Sequence, residues 1–351
     1  MSHYAGLDVS MKETVIAIVD QKGKLVHRGR TKSDPESIIQ HLNMTGFKLE
    51  RIGLESGSLS NWLVDQMNQR GLATICIDAR KMAAVLSIRV NKTDDNDAYG
   101  IAEAMRCGMY KEVVLKSKAS TQAATLMNCR KTLVHQKVQL INSVRGFLKT
   151  YGIRLGSSGE REFSLKVRNR LSEVLDLARI GIEGLLNCYE KLLLEIKTIE
   201  REIEEMARKD EDVQRLMTIP GVGLITAMTY KSEIDDPKRF EKSRDVGAYF
   251  GMTPRQYSSG ETKKQGRISK CGSSEMRTLL TEAGMVCITR SKRWSRLKAW
   301  GLKIMRRHGA KKASVAVGRK LAVIMHRMLI EKADFAYGEE KPTLKKELSP
   351  A

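Results

Sequence analysis

Along the first third of the chain, apolar positions come in short, strand-length runs separated by polar turns. Runs at residues 4–9, 14–20 and 24–30, with Gln21-Lys22-Gly23 as the turn between the last two, predict a hairpin meander. Ser33-Asp34-Pro35-Glu36 is a helix-start signature, and Ile38, Ile39 and Leu42 give that helix its apolar face. A fourth strand is predicted over 51–55, a helix over 59–70 ending at Gly71, a fifth strand over 73–78, and a helix from Asp94 toward Cys107. The order of strands and helices describes an α/β sheet.

The pattern then turns helical. Leu126 and Leu133, and Val134, Ile141 and Leu148, recur at sevens between residues 121 and 148. Tyr151 to Gly159 is rich in glycine and serine, and residues 151–168 interrupt the pattern. An apolar seam resumes at Leu171, Leu175, Ala178, Ile182, Leu185, Tyr189, Leu192, Ile196, Ile199, Ile203 and Met206, in alternating fours and threes. Such a seam predicts a coiled coil, formed within one chain against the 121–148 helix, between chains, or both. Its weak points are Gly181 and Gly184, each costing about 1 kcal/mol in a helix interior. Divisions are expected at residues 1–115, 116–210 and 211–337, the last mainly α-helical, with a disordered tail over 338–351.

Charge changes the picture. A net charge of +21 points to a polyanionic partner, nucleic acid first. No apolar run approaches the length of a membrane span and no signal segment is evident, so a cytoplasmic, nucleoid-associated protein is expected. The cysteines are too widely spaced for a zinc knuckle, and reduced thiols are expected.

Asp94 and Asp97 stand one helical turn apart and share a face, whereas Asp95 is turned about 100° away. Taken singly, each reads as a solvated acid favoured by the helix dipole. Asp8 and Glu55, however, each interrupt an apolar strand, where a carboxylate requires a strand end, a partner or a metal. First strand, fourth strand and then a paired helix is the order of the ribonuclease-H-like fold. In that order the four acids are candidate ligands for a divalent cation.

Downstream, Ile219-Pro220-Gly221-Val222-Gly223 resembles the turn of a helix-hairpin-helix module, whose amides bind phosphate; a plain tight connector is the alternative. Between Ala283 and Ile330 there are thirteen basic residues and no acid, a one-signed stretch that suits phosphate. Lys303, Arg306, Arg307, Lys311 and Lys312 lie at its centre.

Asp8 in Gly-Leu-Asp-Val-Ser, Glu55 in Leu-Glu-Ser-Gly, Lys-Thr-Asp94-x-x-Asp97-Ala, Ile-Pro-Gly-Val-Gly, and Gly-Met-Thr-Pro-Arg-Gln-Tyr-Ser-Ser259-Gly occur in series. Together they resemble the DEDD transposases of the insertion-sequence one-ten family, over residues 4 to 330. The resemblance implies a RuvC-like N-terminal domain, a coiled coil and a C-terminal transposase domain. It further implies recombination of target and donor DNA guided by a bridge RNA, magnesium at the four acids, and Ser259 as nucleophile. Dimers assembling to tetramers follow from the same resemblance. Ser258 offers a second hydroxyl. Arg255, Lys263, Lys264 and Arg267 are candidates for phosphate contact. The competing readings are a hydrolytic RuvC-like nuclease or junction resolvase, in which water attacks, and a non-catalytic nucleic-acid scaffold.

Overall fold

The computed structural model describes residues 2–87, 93–259 and 262–338; the side chains of Val85, Ser258, Ser259, Thr262, Lys263 and Lys264 are outside that description. Lys92, Gly260, Glu261 and all but the first residue of the expected tail also fall outside it. The chain divides into two compact units, the second beginning at Ser117.

The first unit contains strands β1 (His3–Val9), β2 (Glu13–Val19) and β3 (Leu25–Lys32), helix α1 (Pro35–Met44), strand β4 (Leu49–Glu55), helix α2 (Ser60–Gln69), strand β5 (Thr74–Ile77), and helices α3 (Ala79–Leu86) and α4 (Asp94–Cys107). The sheet order is β3-β2-β1-β4-β5. β1 to β3 form an antiparallel meander, and β4 and β5 run parallel to β1. This mixed sheet is the ribonuclease-H-like arrangement expected from the order of elements. Local chemistry sets its corners: Asp20 Oδ1 accepts from the amides of Lys22 and Lys24 around the first turn, and Asp34 caps α1 by accepting from Ser37 N at 2.8 Å. Helix α3 was not anticipated, although Asp78 ahead of Ala-Arg-Lys-Met-Ala-Ala is a serviceable start signal.

Alternation along the strands sorts the sheet's two faces. Ala5, Leu7, Ile52 and Leu54 pack with Ile38, Leu42, Leu63 and Met67 of α1 and α2. Tyr4 faces the other way, against Ile101, Ala102 and Met105 of α4. Gly6 shares that face: a Cβ there would sit 2.1 Å from the Ala98 carbonyl oxygen and 2.4 Å from the Ala102 nitrogen. The helix backbone therefore lies directly on the central strand.

The second unit comprises α5 (Lys118–Thr150), α6 (Glu160–Arg168), α7 (Asp176–Arg208), α8 (Glu211–Met217), α9 (Leu224–Ile234), α10 (Asp245–Tyr249), strands β6 (Pro254–Ser259) and β7 (Thr262–Ile268), and helices α11 (Ser274–Thr289), α12 (Arg296–His308) and α13 (Ala310–Glu331). α5 and α7 form an antiparallel pair within the chain. Near one end Arg130 Nη2 meets Glu200 Oε1 at 2.6 Å; toward the other, Val144 and Leu148 pack on Ile182, Leu186 and Tyr189. The interruption at 151–168 is only partly irregular, because α6 folds back and closes this end, its Phe163 ring edge-on to Tyr189. The seam also starts later than its spacing suggested. Leu171 is buried in a 3-10 turn, and Leu175 precedes α7 in extended backbone with 73% of its surface exposed. Helix α7 runs through Gly181 and Gly184, where an added Cβ would meet nothing within 4 Å.

At the base of the pair, Met127, Ile203 and Ala207 enter the same core as α8, α9, α11 and α13. The crossing of α11 and α13 is tight, since Gly284 abuts the Ser314 carbonyl and Gly318 that of Leu280. Among the described residues no helix is long and apolar enough to cross a membrane.

Replacing Gly6 with alanine should cost the first unit about 1–3 kcal/mol or more, because the clash is with backbone that cannot rotate away. Thermal melting of the variant would show it; an unchanged melting temperature would mean that α4 is not seated on β1.

Candidate catalytic site and nucleic-acid surface

Asp94 opens α4. The preceding Thr93 is the cap, its Oγ1 accepting from Asn96 N at 3.2 Å. The helix runs antiparallel to β1: its C-terminal Met105 carbonyl accepts from Arg51, which is level with Tyr4, whereas Ala98 packs on Val15, level with Asp8. The first turn of α4 thus lies toward the Asp8 end of the sheet. Tyr4 and Gly6 face α4, so alternation puts Asp8 on the same face. Arg51 and Gly53 likewise contact Met105, which puts Glu55 there too. Asp8 and Glu55 each stand one residue beyond the paired Leu7 and Leu54 of adjacent parallel strands.

Topology thus gathers Asp8, Glu55, Asp94 and Asp97 at one end of one face. Asp94 is exposed and the other three are half-buried. Among the described residues no three acid, histidine or cysteine side chains stand close enough together to hold a metal ion, so the four acids share an end of the sheet without forming a ready-made ligand cluster. Asp95 has a different task, its Oδ2 lying 3.7 Å from both Arg28 and Arg30 of β3. Those arginines alternate along a polar strand, and nothing in their spacing identified the pairing in advance.

Ser259 lies not in a loop but on a β-hairpin, where it pairs with Thr262 in the last described rung of the ladder; Ser258 pairs with Lys263 and Tyr257 with Lys264. The hairpin escaped the hydrophobic pattern because residues 254–268 are polar on both faces and offer no apolar alternation. Its root is rigid. Gly251, at φ +65°, abuts the Cys271 backbone, and Gly272 abuts the Tyr249 carbonyl. Arg277 of α11 donates from one nitrogen, Nη1, to the carbonyls of Phe250 at 3.2 Å, Cys271 at 2.8 Å and Gly272 at 3.0 Å, holding both ends of the hairpin. Sequence reading missed this clamp, since a lone helical arginine carries no motif. Arg255 and Arg267 are exposed along the hairpin.

Gly221 has a packing reason for its residue type. At φ +91°, an added Cβ would lie 2.5 Å from the Ala283 carbonyl oxygen of α11. Gly223 is exposed and caps α9 with open space around it.

Lys303, Arg306, Arg307, Lys311 and Lys312 are all exposed around the α12–α13 corner, and none pairs with a described carboxylate. Arg306 and Arg307 suit the C-terminal end of α12, but Lys311 and Lys312 occupy the first turn of α13, where the helix dipole opposes cations. Some basic groups elsewhere in the unit are used structurally. Arg168, which binds Glu190 and Glu183, is held above its ordinary pKa by those hydrogen bonds. Asp212 collects Arg215, Lys231 and Lys332; burial works to raise its carboxyl, but these cations together hold it below the usual range.

Residues 213–299 match the family model described as transposase IS116/IS110/IS902 family, and residues 5–153 match a DEDD transposase model of the IS110 group. The chain is 29% identical over 340 residues to the transposase for insertion sequence element IS1111A of Coxiella burnetii, covering 95% of this chain and 91% of the relative. It is 33% identical over 245 residues to the transposase for IS1328 of Yersinia enterocolitica, covering 68% and 71% respectively. Among solved structures it is similar to Thermus thermophilus RuvC, with a TM-score of 0.25, 14% identity, 32% of this chain and 99% of that one covered.

Alanine at Asp8, Glu55, Asp94 or Asp97 should reduce DNA strand exchange to background while leaving the melting temperature near wild type. Asp95→Ala should keep most activity and lose at most about 1 kcal/mol of stability, as half-exposed ion pairs do. Wild-type exchange by any one of the four would remove that residue from the site.

Proposed function

Because the chain belongs to the IS116/IS110/IS902 family of insertion-sequence transposases, we propose that it cuts and rejoins DNA through a covalent phosphoserine on Ser259. In this reading Asp8, Glu55, Asp94 and Asp97 hold Mg²⁺, and a bridge RNA selects target and donor DNA. The observation that carries it is the placement of Asp8 and Glu55 on the α4-bearing face of neighbouring parallel strands, at the end where α4 begins. The four side chains offer only carboxylate oxygens, the donors a hard divalent cation takes. Bound there, the metal would supply charge stabilisation for the attacking and leaving oxygens of an in-line displacement.

Ser259 supplies the nucleophile. Its Oγ forms a bond to phosphorus as the bond from phosphorus to a deoxyribose oxygen breaks; the serine proton passes to a base or solvent, and the departing oxygen takes one up. Attack by the hydroxyl end of another strand reverses these changes, frees the serine and rejoins the DNA. The phosphodiester energy is retained throughout, as recombination without a nucleotide cofactor requires. Arg255, Lys263, Lys264 and Arg267 belong to the strands that carry the serine and are assigned to the scissile phosphate. Gly221 and Gly223 are assigned to backbone phosphate contacts and the α12–α13 corner to nucleic acid, the RNA included. Assembly of dimers into tetramers would bring target and donor together.

Denaturing gels and mass spectrometry of protein reacted with cleavable DNA should show an adduct at Ser259. Ser259→Ala should form none, and Ser258→Ala should still form it; the reverse outcome moves the nucleophile by one residue. Mixing Ser259→Ala with Asp94→Ala protein, each inactive alone, asks whether serine and carboxylates act within one chain or across two. Recovered adduct means across two.

Charge reversal of Lys303, Arg306, Arg307, Lys311 and Lys312 together should weaken RNA and DNA binding and flatten its salt dependence, since each lost phosphate contact lowers the slope of log K against log salt by about 0.7–0.9. An unchanged slope would rule that surface out.

A further inference from the structure

We propose that Trp294 is a stacking platform for an unpaired nucleobase; this rests on the reading that the second unit binds nucleic acid. Trp294 lies between α11 and α12 with 63% of its surface exposed, more than Trp62 at 46%, while Trp300 packs against the core beneath Lys320. Its exposure does not come from a slack loop. Ser291 Oγ donates to the Arg293 carbonyl at 3.0 Å, and Lys298 Nζ donates to the Ser291 carbonyl. Ser295, 1% exposed, caps α12 by accepting from Lys298 N at 3.1 Å, and Leu297 is buried behind it. The Arg293 guanidinium sits 3.8 Å above the Tyr337 ring. A pinned backbone on both sides holds the indole outward.

The surroundings decide what would cover it. Arg290, Lys292, Arg293 and Arg296 are exposed nearby, and Lys298 Nζ is 5.9 Å from the indole ring. Among the described residues Trp294 is the only exposed large apolar side chain between Ala283 and Leu329, a stretch with no acid. A protein partner would want a cluster of apolar anchors, which this surface does not offer. A nucleotide offers a π-face to the indole and a phosphate to the cations in the same unit. The base must be unpaired, because bases inside a duplex already stack on each other.

The test uses the full chain and compares Trp294→Ala and Trp294→Phe with wild type. Binding is measured to a short single-stranded RNA, the DNA of the same sequence, and the corresponding duplex, at two salt concentrations. Trp294→Ala should weaken single-strand binding roughly 5- to 150-fold, the range expected for one lost stacked base. The salt slope should not change, Trp294→Phe should recover much of the loss, and duplex binding should stay at wild type. A loss confined to RNA would assign the base to RNA. Unchanged single-strand affinity, an equal loss on duplex, or a changed salt slope would overturn the proposal. If charge reversal at the α12–α13 corner abolishes binding while Trp294→Ala changes nothing, the stacking site fails and the basic surface stands. A wild-type chain that binds no nucleic acid sinks both.

Discussion

The contact on which the first unit depends is the seating of α4 directly on β1. With no side chain at Gly6, the Ala98 and Ala102 backbone approaches the central strand more closely than any Cβ would permit. Gly53 does the same on the neighbouring strand, where Met105 fills the space. Small residues on the helix complete the fit, as Ala98, Ala102 and Ala104 are all buried. The consequence is chemical as well as structural. A helix fixed at this height, running antiparallel to β1, has its first turn at the strand ends where Asp8 and Glu55 interrupt the apolar runs.

The second unit uses the same device to hold its own elements. Gly284 and Gly318 bring α11 against α13, Gly221 brings the α8–α9 turn against α11, and Gly251 and Gly272 tighten the root of the serine hairpin. Arg277 then satisfies three carbonyls at that root with one guanidinium nitrogen. A hairpin polar on both faces has no core of its own, so its direction is set from below. The basic groups divide accordingly. Those at Arg130, Arg168 and Lys231 hold elements together through carboxylates, while those around α12 and the start of α13 face solvent with like-charged neighbours. That unfavourable local electrostatics is expected of a surface completed by phosphate.

Much of the first unit was legible because its strands carry buried residues at period two and its helices have capped starts, as at Asp34 and Thr93. Asp8 and Glu55 stood out as carboxylates interrupting apolar runs, and Asp94 and Asp97 by their one-turn spacing at a helix start. What the pattern concealed had little apolar signal to give: α3 is short, and the β6–β7 hairpin is polar on both faces. The seam at 171–206 was visible, but its partner was not, since heptad spacing is the same whether the facing helix belongs to one chain or two. The structure shows the pairing within the chain, and the first two seam positions, Leu171 and Leu175, fall outside the helix. Ser259 is a candidate through its motif alone, because a serine beside Gly-Glu has no physical signature that separates it from any turn residue.

That the carboxylates of the first unit serve the serine of the second is tested most directly by measuring the yield of covalent protein–DNA adduct against divalent cation. Chelator-stripped wild type should form no adduct and regain it when Mg²⁺ is returned, whereas Asp97→Ala, with Ser259 intact, should not regain it at the same concentration. Full adduct formation by the stripped wild type, or by Asp97→Ala, would show that the serine acts without the acids and contradict the assignment.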